Sequence, residues 1–323
     1  MTDTVDKYDI IIIGNLDDPN YTSSKTYYLK EVLNKYLPDK KIDIYDICAN
    51  DSNRIKLNSY NFIFLPWVQS IDINWCNFMI NLEGIGKKIL YTDLYYFYND
   101  KQTKLLQLGF NLENLFHIIA FASREYTGWW NDRAYRYWGP CFFNDKFKNM
   151  VPEKTEEKYI FIDTIWDFDI SLEPYNAKRI INECIPKIKE NHPEIKIISQ
   201  NNSENWVDIN LEKSLPLDEM IKTYNKCVAY VVTHNECSGL AQFESLLCGT
   251  KIVSTRTFSN HAALLSGNYT HELWEFEKGN EDFIRAIESC IKDYDKNEVK
   301  ELSLKAYNDK LFFDQMKNDL FLP

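Results

Sequence analysis

Residues 231–254 read VVTHNECSGLAQFESLLCGTKIVS and contain the pattern that decides the fold. The stretch begins as an apolar strand, passes through a polar loop, continues as a helix from Leu240 to Leu247 and returns to a strand at Lys251. Gly249 ends the helix, since glycine readily adopts the backbone conformation that a helix terminus often requires. A strand, a helix and a second strand in this order predict a βαβ unit with two parallel strands.

Two glutamates, Glu236 and Glu244, lie on this loop and helix with seven residues between them. A loop that enters a helix N-terminus presents unpaired backbone N–H groups and the positive end of the helix dipole, which suit a diphosphate. Ser238 and Gly239 are small and allow a ligand to approach the backbone closely. Glu236 can accept hydrogen bonds from sugar hydroxyls, and Glu244 can accept them from both hydroxyls of a ribose. The alternative is a surface helix with two unrelated acids.

The stretch closely resembles the motif of the retaining glycosyltransferases with the GT-B fold, in which two acids hold a nucleotide sugar. Two glutamates at this spacing are common by themselves, so the resemblance depends on the joint match of Gly239, the pair Cys248-Gly249 and the flanking strands. It implies that Glu236 takes part in catalysis. It also implies that the donor is bound by four residues: Cys237, Ser238, Gly239 and Glu244.

The chain departs from this family after the first strand of its second half. The family has a Gly-rich phosphate-binding loop with a lysine or arginine there, whereas residues 162–169 read IDTIWDFD, with no glycine and no base. Three basic residues are the nearest substitutes for the phosphate contact: Lys178, Arg179 and Arg256. The alternative is that each of them is an ordinary surface charge.

Both halves of the chain alternate apolar strands with helices. Short apolar runs such as 10–13 and 61–65 predict buried parallel strands, and a second series begins with the strand at 159–162. Strands separated by helices imply right-handed crossovers. We therefore predict an α/β fold of two doubly wound, Rossmann-like domains facing a cleft, which is the GT-B arrangement.

The polar stretch 152–158 predicts the connection between the two domains. We predict an acceptor-side domain at residues 1–151 and a nucleotide-sugar-binding domain at 158–298. The remaining segment, 299–323, is predicted to form one helix that packs back on the first domain. Because ligands of doubly wound sheets bind at the carboxyl ends of the strands, we expect the site there.

Two short stretches of the first half resemble the bacteriophage DNA β-glucosyltransferases, which also have the GT-B fold. They are SSKTYYL at residues 23–29 and KILYTD at residues 88–93. The resemblance implies that Asp93 is a general base for the acceptor hydroxyl, whereas the alternative is that Asp93 caps the following segment. An aspartate base implies inversion at the sugar, and the pair Glu236 and Glu244 implies retention. We favour retention because the C-terminal resemblance covers the longer stretch.

Residues 124–148 interrupt the alternation of strands and helices and are rich in tryptophan and arginine. Aromatic faces stack on sugar rings and on bases, so this segment is a candidate for the acceptor side. A buried aromatic cluster that braces the domains is an equally good interpretation. The residues proposed for acceptor contact are Trp129, Trp130 and Arg133.

Composition and charge narrow the class of protein. The chain has 323 residues and a net charge of −11. A protein that binds nucleic-acid phosphates normally shows a basic face, so this charge argues against tight non-specific binding of nucleic acid. No apolar stretch approaches the roughly 20 residues that span a bilayer, and the acidic N-terminus does not resemble a secretory signal, so we expect a cytoplasmic location. The eight cysteines include no pair at CxxC spacing, which argues against a zinc or redox site.

These patterns predict a glycosyltransferase whose co-substrate is a UDP- or GDP-linked sugar, with no metal and no other cofactor. Asp167 and Asp169 form the only Asp-x-Asp pair in a predicted loop, and they would be the ligands if a metal held the diphosphate. The predicted acceptor is a glycan, a protein or a small molecule. Two alternatives stay open: a viral-type DNA-base glucosyltransferase with Asp93 as base, and a nucleotide-sugar-binding module without turnover.

Overall fold

The structure, a computed structural model, shows two compact units. The first comprises Met1–Phe143 and Tyr307–Pro323, and the second comprises Asn144–Ala306. The residues that the structure describes are 10–14, 22–46, 60–66, 73–80, 86–92, 100–121, 135–148, 150–152, 157–163, 177–200, 204–211, 215–233, 240–255, 269–275, 278–292 and 294–321.

The first unit is built on a parallel sheet, and its described strands β1 to β6 span Ile10–Gly14, Ile42–Asp46, Phe62–Leu65, Lys87–Thr92, Ile118–Phe121 and Tyr135–Tyr137. Its described helices, α1 to α4 and α11, span Thr22–Tyr36, Ile73–Ile80, Asp100–Gln107, Leu112–Leu115 and Asp309–Phe321. The strand order is β2-β1-β3-β4-β5-β6, with parallel pairing throughout.

The second unit contains a parallel sheet whose described strands, β7 to β12, span Lys158–Ile162, Ile195–Gln200, Ile209–Leu211, Cys227–Val231, Lys251–Thr255 and His271–Trp274. Its described helices, α5 to α10, span Asp145–Lys148, Ala177–Asn191, Leu217–Lys226, Leu240–Leu247, Gly279–Ile291 and Lys296–Ala306. The strand order is β12-β11-β10-β7-β8-β9. Among the described helices of both units, none combines the length and the apolar character needed to cross a membrane.

Both sheets have the doubly wound order, so the predicted α/β fold class is confirmed. In each sheet the first strand along the chain lies inside the sheet, and later strands are added on both sides of it. The four isoleucines of β1, Ile10 to Ile13, are all buried although successive side chains point to opposite faces. A strand that is apolar on both faces is expected where helices cover both sides of a parallel sheet.

Three edge strands were not predicted from the sequence: β6, β9 and β12. Their sequences are YRY, INL and HELW, and each lies at the edge of its sheet. An edge strand pairs with one neighbour only and needs no continuous apolar run. The hydrophobic pattern that identified the central strands therefore gives no signal for these three.

The C-terminal segment is two helices, which corrects the prediction of one helix over 299–323. Helix α10 ends at Ala306 in the second unit, and α11 begins at Asp309 in the first. Between them, the Lys310 N–H donates to Asn308 Oδ1 (2.8 Å), so Asn308 caps a new helix. The break is hard to predict because an asparagine occurs on exposed helix faces as well as at caps.

Residues 144–151 belong to the second unit, although the predicted boundary at 151 would place them in the first. The Lys300 ammonium group donates to the Lys148 carbonyl (3.2 Å), and Asn225 Nδ2 donates to the Val151 carbonyl (3.1 Å). Lys300 is buried, and burial lowers its pKa. Because a buried ammonium group needs acceptors, these contacts fix the segment to the second unit.

The end of the Trp- and Arg-rich segment lies in the core of the first unit. Trp138 is buried, and its ring contacts those of Tyr91 and Phe312. Its Nε1 donates to Asp319 Oδ2 (2.7 Å), and Arg136 Nε donates to Asp319 Oδ1 (2.8 Å). This part of the segment therefore holds α11 against the sheet of the first unit.

The described cysteines are buried and free, as expected for reduced structural thiols. Burial raises the pKa of the Cys184 thiol to about 11 and that of Cys227 to about 12. Thiols with such pKa values are protonated at neutral pH and react slowly.

Asp309 of α11 accepts hydrogen bonds from two side chains of α1, and its removal should destabilise the first unit. The Lys35 ammonium group donates to Asp309 Oδ2 (2.9 Å), and the Tyr36 hydroxyl donates to Oδ1 (3.0 Å). The Asp309 side chain is 5% exposed. We expect Asp309→Ala to lower the free energy of unfolding by about 1–3 kcal/mol, because two donors lose a charged acceptor while Lys35 stays partly solvated. Chemical denaturation measures the change.

Asp314→Ala is the matched control for this prediction. Asp314 pairs with Lys310 on the same helix, but the two side chains are 46% and 56% exposed. An exposed pair one turn apart contributes only about 0.3–0.5 kcal/mol. Equal losses for the two variants would show that Asp309 does not hold the helix in place.

Candidate functional site

The second sheet has its topological switch point between β7 and β10. From β7 the chain adds β8 and β9 on one side, and β10, β11 and β12 lie on the other. In doubly wound sheets the crossover helices on the two sides of such a point cover opposite faces of the sheet and diverge, which opens a crevice at the carboxyl ends of the two strands. Ligands of doubly wound sheets bind in this position.

Buried polar side chains line this carboxyl edge. Asp163 follows β7 directly, Thr233 lies two residues beyond β10, and Ser254 and Thr255 end β11. All four are buried. The Asp163 N–H donates to the Val231 carbonyl (3.1 Å), which keeps the ends of β7 and β10 together. Buried polar groups on three adjacent strand ends are the kind of edge that binds a polar ligand.

Helix α8 follows β10 and carries Glu244. Every residue of the helix is buried, and Glu244 itself is 4% exposed. Burial raises the pKa of the Cys248 thiol at the end of this helix, and the Glu244 carboxylate raises it further. A carboxylate is retained at this depth only where hydrogen-bond donors compensate its lost hydration.

Gly249 ends α8 as the sequence predicted. Its φ angle is +85°, and its N–H donates to the Leu246 carbonyl (2.9 Å). A side chain at this position would place its Cβ 2.4 Å from the Lys296 carbonyl oxygen. Glycine is therefore required twice, by the backbone conformation and by the close approach of α10.

The structure describes three of the predicted site residues and not the others. Glu244 lies at the switch-point side of the second unit, while Lys178 and Arg179 lie in the first turn of α6, the helix after β7. The predictions that fall outside the described residues concern Asp93, Trp129, Trp130, Arg133, Glu236, Cys237, Ser238, Gly239 and Arg256, together with the possible metal ligands Asp167 and Asp169.

Lys178 and Arg179 are both exposed. Arg179 Nε lies 3.9 Å from Glu183 Oε1, and the two side chains are largely solvated. A pair of this kind contributes little to stability. The position at the start of α6 is suitable for phosphate contact, so both residues remain candidates for that role.

Asp163 and Ser254 were not singled out from the sequence. Each is a polar residue at the end of an apolar strand, and this position at a switch point was the available signal. A carboxylate at Asp163 repels phosphate groups over the end of β7.

The first unit has an equivalent switch point between β1 and β3. Helix α1 follows β1, and its first turns carry Lys25 and Thr26, both buried. Strand β4 ends at Thr92, so the candidate base Asp93 comes directly after a strand end of this sheet in the chain. Among the residues that the structure describes in either unit, no group of three or more His, Cys, Asp or Glu side chains could hold a metal ion.

No protein-family model matches the chain, and no curated protein matches its sequence. Solved structures match it over nearly its whole length. HepE from Anabaena, solved with UDP and with UDP-glucose, gives a TM-score of 0.61 at 11% identity and covers 97% of this chain and 99% of its own. AviGT4, a glycosyltransferase involved in avilamycin A biosynthesis, gives a TM-score of 0.60 at 8% identity and covers 97% of this chain and 98% of its own.

A protein described as a UDP-N-acetylglucosamine 2-epimerase, from Listeria monocytogenes, gives a TM-score of 0.57 at 11% identity and covers 97% of this chain and 96% of its own. Identities this low do not transfer an activity, since one fold serves several reactions. The match nevertheless extends over both units and both sheets. The chain therefore has the GT-B fold, the two-domain architecture of nucleotide-sugar glycosyltransferases.

Proposed function

We propose that this protein is a glycosyltransferase that transfers a sugar from a UDP- or GDP-linked donor. The observation that carries the proposal is the buried Glu244 on the helix that follows the switch point of the second sheet. HepE, which has the same fold, is solved with UDP and with UDP-glucose. A nucleoside diphosphate fits this position because the start of α8 offers N–H donors to phosphate and Glu244 offers acceptors to ribose.

The remaining roles are those predicted from the sequence. Glu236 is the catalytic carboxylate of the second unit, and it accepts hydrogen bonds from the hydroxyls of the donor sugar and so positions it. The donor is further held by Cys237, Ser238 and Gly239, and its phosphates by Lys178, Arg179 or Arg256. Trp129, Trp130 and Arg133 contact the acceptor, which is a glycan, a protein or a small molecule. A cytoplasmic location stays a prediction.

Retention is the proposed stereochemical course. In a retaining transfer the donor phosphate can take the acceptor proton on the face where the bond breaks, so no separate base is needed. The alternative course is inversion with Asp93 as the base, as the resemblance to the phage DNA enzymes implies. The net charge of −11 argues against a DNA acceptor.

Turnover assays separate these alternatives from binding without catalysis and from epimerisation. The protein is incubated with UDP- and GDP-sugars and with a panel of glycans, peptides, small alcohols and duplex DNA. A glycosyltransferase releases nucleoside diphosphate and adds a sugar mass to one acceptor. An epimerase instead returns an altered nucleotide sugar with no transfer. Tight binding without release would identify a nucleotide-sugar-binding module.

Metal removal should leave the transfer rate unchanged, because backbone N–H groups and basic side chains are proposed to neutralise the diphosphate. The measurement is the initial rate with excess EDTA against the rate after manganese or magnesium is added. Loss of turnover with EDTA and recovery with manganese would contradict the proposal. Asp167→Asn and Asp169→Asn would then test whether these two residues are the ligands.

A further inference from the structure

Ser254 is fully buried near the carboxyl end of β11, and its hydroxyl lacks a partner. Among the residues that the structure describes, none forms a hydrogen bond with the Ser254 Oγ. Other buried serines of the same unit are satisfied: Ser303 Oγ donates to the Val299 carbonyl (2.8 Å) and Ser245 Oγ to the Ala241 carbonyl (2.8 Å). An unpaired buried hydroxyl carries a free-energy cost and calls for an explanation.

The hydroxyl of Ser254 lies on the face of the sheet that α7 and α8 cover. Alternation along β11 places Ser254 on the same face as Ile252, which is in register with Tyr230 of β10. The Tyr230 ring contacts the ring of Tyr224, which belongs to α7. Helix α8 packs on β11 and on α7, so it covers this same face.

The start of α8 and Ser254 lie at the same end of the sheet. Strands β10 and β11 are parallel and α8 connects them, so the helix runs antiparallel to both and begins at their carboxyl ends. The first N–H groups of an α-helix have no partner within the helix. Ser254 thus lies on the face that α8 covers and at the end of the sheet where α8 begins, on the side away from Asp163.

We propose that Ser254 is a binding residue for the nucleotide donor and that its Oγ–H donates to a phosphate oxygen of the nucleoside diphosphate. This inference rests on the proposed function and adds one residue to the proposed donor-binding site. An anionic oxygen gives the hydroxyl the acceptor that it lacks in the protein alone. The ligand then accepts from the serine and from the N–H groups of α8 together.

Ser254→Ala tests the inference through affinity and stability together. The probe is whichever of UDP, GDP and ADP the wild-type protein binds most tightly by calorimetry, compared with the corresponding nucleoside. We expect the variant to bind the diphosphate about tenfold or more weakly, the usual effect of a lost hydrogen bond to a charged group, and to bind the nucleoside as before. The melting temperature without ligand should not fall, since the deleted hydroxyl has no partner to lose.

Ser303→Ala is the matched control, because it deletes an equally buried hydroxyl that does have a partner. It should leave diphosphate affinity unchanged and lower the melting temperature. If Ser254→Ala folds poorly, Ser254→Cys keeps the size of the side chain with a weaker donor and should still lose diphosphate affinity.

Three results would overturn the inference. Wild-type affinity of the Ser254 variants for the diphosphate removes the residue from the site while the proposed function stands. Equal losses for nucleoside and diphosphate refute the phosphate assignment. A wild-type protein that binds none of the three diphosphates refutes the proposed function, and the role of Ser254 with it.

Discussion

Glu244→Ala is expected to weaken binding of a nucleoside diphosphate by about 1.5–3 kcal/mol, or roughly 10- to 150-fold. The proposed carboxylate accepts hydrogen bonds from the ribose hydroxyls, and an alanine leaves both donors without a partner. The sharper readout is discrimination between ribose and 2′-deoxyribose. Wild-type protein should bind UDP or GDP more tightly than its 2′-deoxy form, and the variant should bind the two forms alike. Calorimetry with both nucleotides on both proteins gives four affinities, which together measure the coupling between Glu244 and the 2′-hydroxyl.

Glu272→Ala is the control for this experiment. Glu272 is a largely buried glutamate of the same unit, and it accepts from the Lys251 ammonium group (3.2 Å) and from the Ser289 hydroxyl (2.7 Å). Its loss should lower stability and leave nucleotide affinity unchanged. Unchanged affinity in Glu244→Ala, or a persisting preference for the ribose form, would remove Glu244 from the ribose site.

The second large expected effect is on the rate of sugar transfer, measured as kcat for variants of Glu236 and Asp93. In the retaining course that we propose, Glu236→Gln misplaces the donor sugar and should lower kcat strongly, whereas Asp93→Asn should change it little. In the inverting course the acceptor hydroxyl needs a base within hydrogen-bond reach. Such a base contributes roughly 10²–10⁴-fold, so Asp93→Asn would then remove most of the transfer.

The product anomer, assigned by NMR, decides which pair of outcomes applies. Retention with an active Asp93→Asn enzyme supports the proposed course. Inversion together with a loss of 10²-fold or more in Asp93→Asn would establish the alternative. Inversion with a fully active Asp93→Asn enzyme contradicts both assignments and requires another base. Asp93→Asn should leave nucleotide affinity unchanged in either course, since the nucleotide is proposed to bind the second unit.

The elements at the centre of both sheets were predictable because their sequences have strong periodicity and clear ends. Helix α8 and its flanking strands were identified from one stretch, since the strands are continuous apolar runs and Gly249 has the positive φ that ends the helix. The edge strands and the two-helix C-terminus were not predictable in this way. Edge strands can be short and polar, and Asn308 caps α11 with a side chain that also occurs on exposed helix faces.

The candidate site was predictable only where the motif supplied it. The motif identified Glu244, and the structure places it on a buried helix next to the switch point. Ser254 had no sequence signal, because an apolar strand that ends in a serine does not reveal whether the hydroxyl has a partner. That property depends on the packing of α8 and the neighbouring strands, which only three-dimensional structure supplies.

Binding of nucleoside diphosphates to the wild-type protein tests the central claim most directly. Thermal unfolding is followed with UDP, GDP, ADP and their glucose-linked forms at increasing concentration. The account predicts that one nucleotide series raises the melting temperature, because a ligand present at about 100 times its Kd adds about 2.7 kcal/mol to the stability of the folded state. It also predicts that Glu244→Ala removes roughly half or more of this stabilisation at the same ligand concentration. No shift with any of the nucleotides or nucleotide sugars, at concentrations up to several millimolar, would contradict the assignment of this protein as a nucleotide-sugar glycosyltransferase.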